Sequence, residues 1–386
     1  MSIKDLFKHK TDRSLTRDSV MILSAAVGAG HLRAADALLS AFNSRNIPAK
    51  HIEVLRYTNP IFKKLYSDLY IELVNKQPDI LGWIYNALDR PWQHQKRRLA
   101  LNRLNTVPLV KFLKSEKPKF IICTHFLPAE ILAYLKRKKI ISIPIGIVIT
   151  DFDAHALWLY REVDWYFVAC EETKVYLIEM GIPEKSIFVT GIPIDPVFLK
   201  TKSKKDERLY FGLDPDKPTI LISLGGFGVG PVESVVNFIQ KVQYPIQMIV
   251  VCGKNTALEL RLNSLSGLRH SMKVIGFTKE MDRLMAASDI LVGKAGGLTC
   301  SEALASGLIM SIVYPTPGQE ERNSDHLLEE GAAIRCNNLP ALAYKIDKLL
   351  NDKERMQRMK DTIKSLAKPD PASKIVSIIE KMTNDL

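Results

Sequence analysis

Residues 218–230 read PTILISLGGFGVG, an apolar run that ends in serine and enters a turn rich in glycine. Near the start of the chain, residues 19–30 read SVMILSAAVGAG and lead into a helical stretch over 34–42. A buried strand, a glycine turn and a helix make the opening unit of a parallel α/β sheet. Two such openings in one chain decide the architecture, because the strand pattern begins, runs its course and begins again.

Working outward, the first opening is followed by apolar runs at 51–55, 120–124, 145–150, 165–169 and 187–190. The second is followed by runs at 247–251, 273–275, 290–292 and 310–313. Helix-like stretches separate them, which is the rhythm of βα units. Between the two series lie PIDP (193–196) and a lysine-rich segment, 200–207, that reads as a linker. The chain of 386 residues is about twice a usual single domain, in keeping with two. The expected division is a domain over 1–199 and a second over 200–386, both Rossmann-like α/β domains facing a central cleft. Residues 340–386 read as helices broken near Pro369 and Pro371, the last of them able to pack back on the first domain. Ligands of open α/β sheets bind beyond the carboxyl ends of the strands, so the glycine loops should face the cleft.

Composition narrows the class. With 46% hydrophobic and 25% charged residues, this is an ordinary globular chain. The five cysteines form no CxxC pair, which disfavours zinc and disulfide frameworks and fits a reducing cytosol. No apolar run reaches the length of a membrane span, and the first eighteen residues lack the apolar core of a signal peptide. The net charge of +12 is unevenly placed. Residues 1–150 hold 25 Lys/Arg against 11 Asp/Glu, and the remainder 29 against 31. A basic first part calls for an anionic surface, nucleic acid or the acidic cytoplasmic leaflet, unless it is simply a solvated lysine face. Residues 61–114 contain no strand-like run but hold Phe62, Tyr66, Tyr70, Trp83, Tyr85 and Trp92, then QKRR (95–98). That is the composition of a helix in a membrane interface, or of a helical insertion with aromatic packing.

Three segments carry chemistry. In GAGH (28–31), Gly30 allows close backbone approach, and His31 at a strand-to-helix turn is placed to act as a general base. Arg33 stands where a dinucleotide fingerprint wants its third glycine, so nicotinamide binding is disfavoured. TDFDAHALW (150–158) offers Asp151 as a base or as an orienting group, and His155 and Trp158 as lining for an acceptor. Its two carboxylates alone make a poor Mg²⁺ or Mn²⁺ site, and no metal is expected. The third segment runs from GF (276–277) through GKAGGLTCSEA (293–303) to PTPGQEERN (315–323). Gly296, Gly297, Leu298 and Thr299 open a helix whose free N–H groups suit a diphosphate, with Lys294 beside them. Glu302 can accept from ribose hydroxyls, while Gln319, Glu320 and Asn323 supply donors and acceptors for a sugar. No Walker-type phosphate loop occurs.

The order GAGH, TDFDAHALW, TGIPIDPVF (190–198), GGFGVG (225–230), GKAGGLTCSEALASG (293–307) and PTPGQEERN resembles the monogalactosyldiacylglycerol synthases. It is equally similar to the bacterial processive diacylglycerol β-glucosyltransferases, over about residues 20–340. The resemblance implies a GT-B fold and inverting transfer of glucose or galactose from a UDP-α-sugar to the free hydroxyl of diacylglycerol, yielding a membrane glycolipid. It also implies monotopic attachment to the inner face of the cell membrane. UDP-sugar would be the donor substrate with no tightly bound cofactor, its uracil near Gly276 and Phe277. His31 matches the family's expected base or acceptor-site histidine. Related readings keep the fold: transfer of N-acetylglucosamine to the undecaprenyl peptidoglycan lipid intermediate, or 2-epimerisation of a soluble UDP-sugar. A nucleic-acid binder would show steep salt dependence but lacks any recognition motif. A structural membrane adaptor would leave Glu302 and Gln319 without purpose.

Overall fold

The computed structural model describes residues 19–26, 28–57, 78–92, 107–225 and 230–384. The N-terminal stretch, most of the aromatic and basic region with Phe62, Tyr66, Tyr70 and QKRR, and the middle of GGFGVG lie outside the described residues.

The first sheet contains β1 Val20–Ser24, β2 Ala49–Glu53, β3 Phe120–Cys123, β4 Ile145–Val148, β5 Trp165–Val168 and β6 Ile187–Val189. All pairings are parallel, in the order β2-β1-β3-β4-β5-β6. The second sheet contains β7 Thr219–Ser223, β8 Gln247–Val251, β9 Met272–Ile275, β10 Ile290–Gly293, β11 Ile309–Ile312 and β12 Ala333–Arg335. It is also parallel, in the order β12-β11-β10-β7-β8-β9. Helices cover both faces of a parallel sheet, so its strands are continuous apolar runs. β1, β3, β4, β8, β10 and β11 are buried at every position.

The expected strands all form, with shifted ends. β2 begins two residues before the expected 51, and the helix after β1 runs Ala29–Ser44 rather than 34–42. β12 escapes a sequence reading because Ala-Ile-Arg holds one large apolar residue and ends on a charge, so no apolar run shows there, unlike Ile-Phe-Val of β6. The final helix, Pro371–Asn384, buries Ala372, Ile375, Val376 and Ile379 against Ala35, Leu38 and Phe42 of helix Ala29–Ser44. That spacing is one helical stripe, and it completes the core on one face of the first sheet.

Strand order reverses direction at one place in each sheet, beside β1 and β3 in the first and beside β7 and β10 in the second. Such switch points leave a crevice at the strands' carboxyl ends. In the first domain the adjoining loops carry the approach to His31 and the pair Thr124 and His125. In the second they carry Leu224 and Gly225 after β7 and Lys294–Gly297 after β10.

Candidate active site

His31 sits in the first turn of helix Ala29–Ser44, which starts at Gly28. Its Nδ1 lies 2.9 Å from the Thr124 carbonyl oxygen and 2.9 Å from Thr150 Oγ1. A carbonyl only accepts, so Nδ1 carries the ring proton and Nε2 keeps its lone pair. Thr124 Oγ1 donates in return to the His31 carbonyl at 2.9 Å. Burial pushes the imidazole down to about 4, against a smaller upward pull from the Thr124 carbonyl. The ring is therefore neutral at physiological pH and fixed in the tautomer a general base needs.

The sequence reading missed His125. It immediately follows the buried run that becomes β3, a strand-end position beside the switch point, which was the available signal. His125 is 2% exposed, and its ring meets that of His31 edge-on at 4.5 Å. Its Nδ1 accepts the Leu127 N–H at 3.0 Å, capping helix Phe126–Arg137. That leaves the proton on Nε2, while burial and the neighbouring His31 hold its pKa well below the usual range. Trp158 completes the wall, 6.3 Å from the His31 ring and 5.8 Å from Phe126. His155, grouped with Trp158 as acceptor lining, is engaged elsewhere. Its Nδ1 accepts the Leu157 N–H at 3.0 Å, and its Nε2 donates to the Tyr85 carbonyl at 2.8 Å.

Asp151 adjoins Thr150, but two hydrogen bonds tie it to the second domain. Gln319 Nε2 donates to it at 2.6 Å and Asn323 Nδ2 at 3.0 Å. Burial, outweighing those amides, raises the carboxyl to about 6. Asn323 is fully buried and also binds the Ala295 carbonyl at 3.1 Å and accepts the Phe152 N–H at 2.8 Å. One side chain thus joins both sides of the cleft. Replacing it with alanine should lower stability by about 3 kcal/mol, because three buried polar groups lose their partner. A thermal midpoint several degrees lower is the expected result, and an unchanged midpoint would contradict this assignment. Asp153 pairs with Arg322 at 3.2 Å, so it and Asp151 have separate partners.

The two domains touch through their helix starts. Helix Gly297–Ala305 begins after β10 at Gly296, with no side-chain cap there. Helix Ala29–Ser44 likewise lacks one at Gly28. Uncapped first turns leave N–H groups available to an anion. A Cβ on Gly297 would lie 2.1 Å from the Thr150 carbonyl oxygen, and one on Gly30 would lie 3.8 Å from Leu298 Cβ. Arg33 and Glu302 form an ion pair across the same seam. Glu302 is 1% exposed, and burial lifts its pKa to about 7 despite the guanidinium.

The other expected donor residues divide. Lys294 and Thr299 flank the helix start and are partly exposed. Glu320 accepts the Thr316 N–H at 2.6 Å and so braces its own loop. Gly276 and Phe277 follow β9, the far edge of the sheet, with Phe277 exposed. Away from the cleft floor, Asp36 accepts from His51 Nδ1 at 2.7 Å, and His51 Nε2 accepts from Ser24 at 2.6 Å. Ser24 is fully buried, so this serine–histidine–aspartate chain braces the end of β1 and has no access to substrate.

Known proteins resemble the chain over most of its length. Residues 31–194 match the monogalactosyldiacylglycerol (MGDG) synthase family, and residues 230–375 match the glycosyltransferase family 28 C-terminal domain. A processive diacylglycerol β-glucosyltransferase of Bacillus cereus (strain AH187) is 32% identical over 367 residues, 93% of this chain and 92% of the relative. One of Bacillus cytotoxicus is 31% identical over 363 residues, again 93% and 92%. Among solved structures, Acinetobacter baumannii MurG aligns with TM-score 0.60 at 16% identity, covering 94% of this chain and 99% of that one. The S. aureus MnaA–UDP co-structure aligns with TM-score 0.62 at 14% identity, covering 96% and 98%. These structural likenesses establish the GT-B arrangement of the two Rossmann-like domains.

Proposed function

The chain belongs to the family of the monogalactosyldiacylglycerol synthases and processive diacylglycerol β-glucosyltransferases, and from that membership we propose that it transfers a hexose from a UDP-sugar to diacylglycerol. The observation that carries the mechanism is His31. Its Nδ1 proton is held by the Thr124 carbonyl, no hydrogen bond to its Nε2 is seen among the described residues, and the adjoining Gly30 faces Leu298 of helix Gly297–Ala305.

In a single displacement, the acceptor hydroxyl gives its proton to His31 Nε2 while its oxygen attacks C1 of the sugar. The bond from C1 to the phosphate oxygen breaks, and UDP leaves with the electron pair. The anomeric centre inverts. Charge developing on the diphosphate meets the N–H groups at Gly296, Gly297, Leu298 and Thr299 and the Lys294 ammonium. Glu302 binds the ribose, which requires Arg33 to share or release it. Gln319 and Glu320 address the sugar, Asn323 braces them from behind through Asp151 and Ala295, and Gly276 and Phe277 address the uracil. Gly30, Arg33 and Trp158 border the acceptor side, His155 holds the segment behind them through Leu157 and Tyr85, and Asp151 positions the donor loop through Gln319 and Asn323. The relatives' names favour glucose over galactose. The chemistry needs no tightly bound cofactor or metal. Among the described residues no helix is long and apolar enough to cross a membrane, so attachment to the inner face of the cell membrane would be peripheral.

The test is a product assay with UDP-glucose and UDP-galactose against vesicles of diacylglycerol or of the undecaprenyl lipid intermediate. Hexosyl-diacylglycerol supports the proposal. Product on the undecaprenyl lipid alone, or interconversion of soluble UDP-sugars, overturns it.

The pH profile gives a second check. The base works unprotonated, and burial has moved His31 down from 6.5 to about 4. Its limb in kcat/KM is therefore expected near pH 4. A limb from Asp151 near 6 should vanish in Asp151→Asn, whereas that of His31 should persist. A remaining limb near 6.5 that persists in Glu302→Gln, whose carboxyl burial lifts to about 7, would point to a solvated imidazole instead.

A further inference from the structure

The face of helix Gln319–Glu329 that carries Gln319 and Asn323 carries His326 one turn further on, at helical spacing. Gln319 and Asn323 bind Asp151, and the His326 imidazole stacks on the neighbouring Phe152 ring with centroids 4.9 Å apart. The stacked ring is buried against the first domain, where it meets the start of helix Glu171–Glu179. His326 Nδ1 lies 3.4 Å from the Glu172 carboxylate, and Cys170 is the N-cap of that same helix. Among the described residues, the thiol sulfur, a carboxylate oxygen and an imidazole nitrogen of these three lie within 4.8 Å of one another. None of the three has a part in the transfer.

The donor set is that of a zinc site. Thiolate and imidazole suit a borderline-soft ion and disfavour magnesium or calcium, which take oxygen ligands. Nitrogen and oxygen ligands of a tetrahedral zinc stand about 3.3 Å apart, close to the separation of His326 and Glu172. A simple ion pair would give that distance but needs no sulfur at the same place. The Glu172 side chain is 72% exposed, so an ion reaches the site from solvent by way of that carboxylate. Without an ion the thiol is protonated, raised by burial, and donates to the Phe152 carbonyl at 3.3 Å. On binding, the sulfur gives its electron pair to the metal and its proton passes to water. Thr173 Oγ1, 3.3 Å from the sulfur, is then its outer hydroxyl partner.

We propose that Cys170, Glu172 and His326 hold a divalent cation of the zinc class, with water in the fourth position, and that this ion ties helix Gln319–Glu329 to the first domain. The ion takes no part in the transfer. It is a cross-link between the domains, added to the bonds that Gln319 and Asn323 make to Asp151. No local spacing marks it, because Cys170 and His326 come from different domains and no CxxC pair is involved.

The experiment uses the full chain without an affinity tag, stripped with a chelator and kept reduced by a phosphine. It is titrated with Co²⁺ as the optical probe and with Zn²⁺ as competitor. Stoichiometric Co²⁺ is expected to give tetrahedral visible bands and a near-ultraviolet sulfur-to-cobalt charge-transfer band, all abolished by Zn²⁺. Cys170→Ser should lose the charge-transfer band. Glu172→Gln, a change at an exposed side chain, should weaken Zn²⁺ binding about tenfold or more, and His326→Gln should do the same from the second domain. The thermal midpoint of the wild type should rise with Zn²⁺ concentration, and that of Cys170→Ser should not. A charge-transfer band that survives in Cys170→Ser puts the ion on another cysteine and overturns the site. Affinity unchanged in either Glu172→Gln or His326→Gln overturns the three-ligand tie. No band in the wild type, or an equal rise in midpoint with Mg²⁺, also overturns the proposal. None of these readings uses nucleotide or lipid, so they decide the metal site whatever the product assay shows.

Discussion

Alanine in place of His31 is expected to lower kcat by about a thousandfold, the usual worth of a positioned general base. UDP binding measured by calorimetry should stay within a few-fold of the wild type. The reason is the division of the site. His31 takes its contacts from Thr124 and Thr150 of the first domain, whereas the uncapped helix start lies in the second. A base acts on the acceptor hydroxyl, so its loss appears in turnover and leaves the nucleotide's own contacts in place. Turnover within a few-fold of wild type would remove His31 from that role. Asp151 would then be the next group to examine, since burial raises it to about 6 and puts it in a useful range for proton transfer.

The second large effect is expected from one methyl group. Alanine at Gly297 would place Cβ 2.1 Å from the Thr150 carbonyl oxygen, 3.0 Å from its carbon and 3.2 Å from Asp151 Cα. These are backbone atoms and cannot swing aside. The two domain faces must therefore part by about an ångström, enough to break contacts that rely on close approach. Among them are the bonds from Gln319 and Asn323 to Asp151, at 2.6 and 3.0 Å. A misplacement of about that size between reacting groups costs on the order of a hundredfold, and kcat/KM should fall accordingly. Gly296→Ala makes the internal comparison. Its Cβ would meet only Glu320 Oε1, at 3.7 Å, so the loss should be much smaller. Equal losses in the two variants would mean that the seam is not what Gly297 serves.

Much of the fold was legible because parallel strands covered on both faces must be apolar throughout, and such runs are visible without any knowledge of contacts. β1, β3, β4, β8, β10 and β11, buried at every position, follow from that rule, whereas β12 does not because Ala333–Arg335 holds a single large apolar residue. The positions of His31 and of the helix at Gly296 follow from the same logic, since both are strand-end turns. What the residues do to one another was not legible. Asp151 and Asn323 are 172 residues apart, and nothing local in either segment announces that they meet. Glu302 could be assigned to ribose from its place on the helix, but its pairing with Arg33 depends on how closely the domains approach. His155 has the residue type of an acceptor contact, yet its two nitrogens are used by Leu157 and Tyr85. His125 was missed for the opposite reason. It has no motif of its own, and its importance comes from β3 lying next to β1.

The claim at the centre is a single displacement at the sugar carbon, with diacylglycerol as acceptor and His31 as base. It is tested most directly by the anomeric configuration of the glycolipid formed from UDP-α-glucose and diacylglycerol, read by proton NMR of the first sugar attached. The account predicts the β-linked product. An α-linked product, or no glycolipid at all, would contradict it.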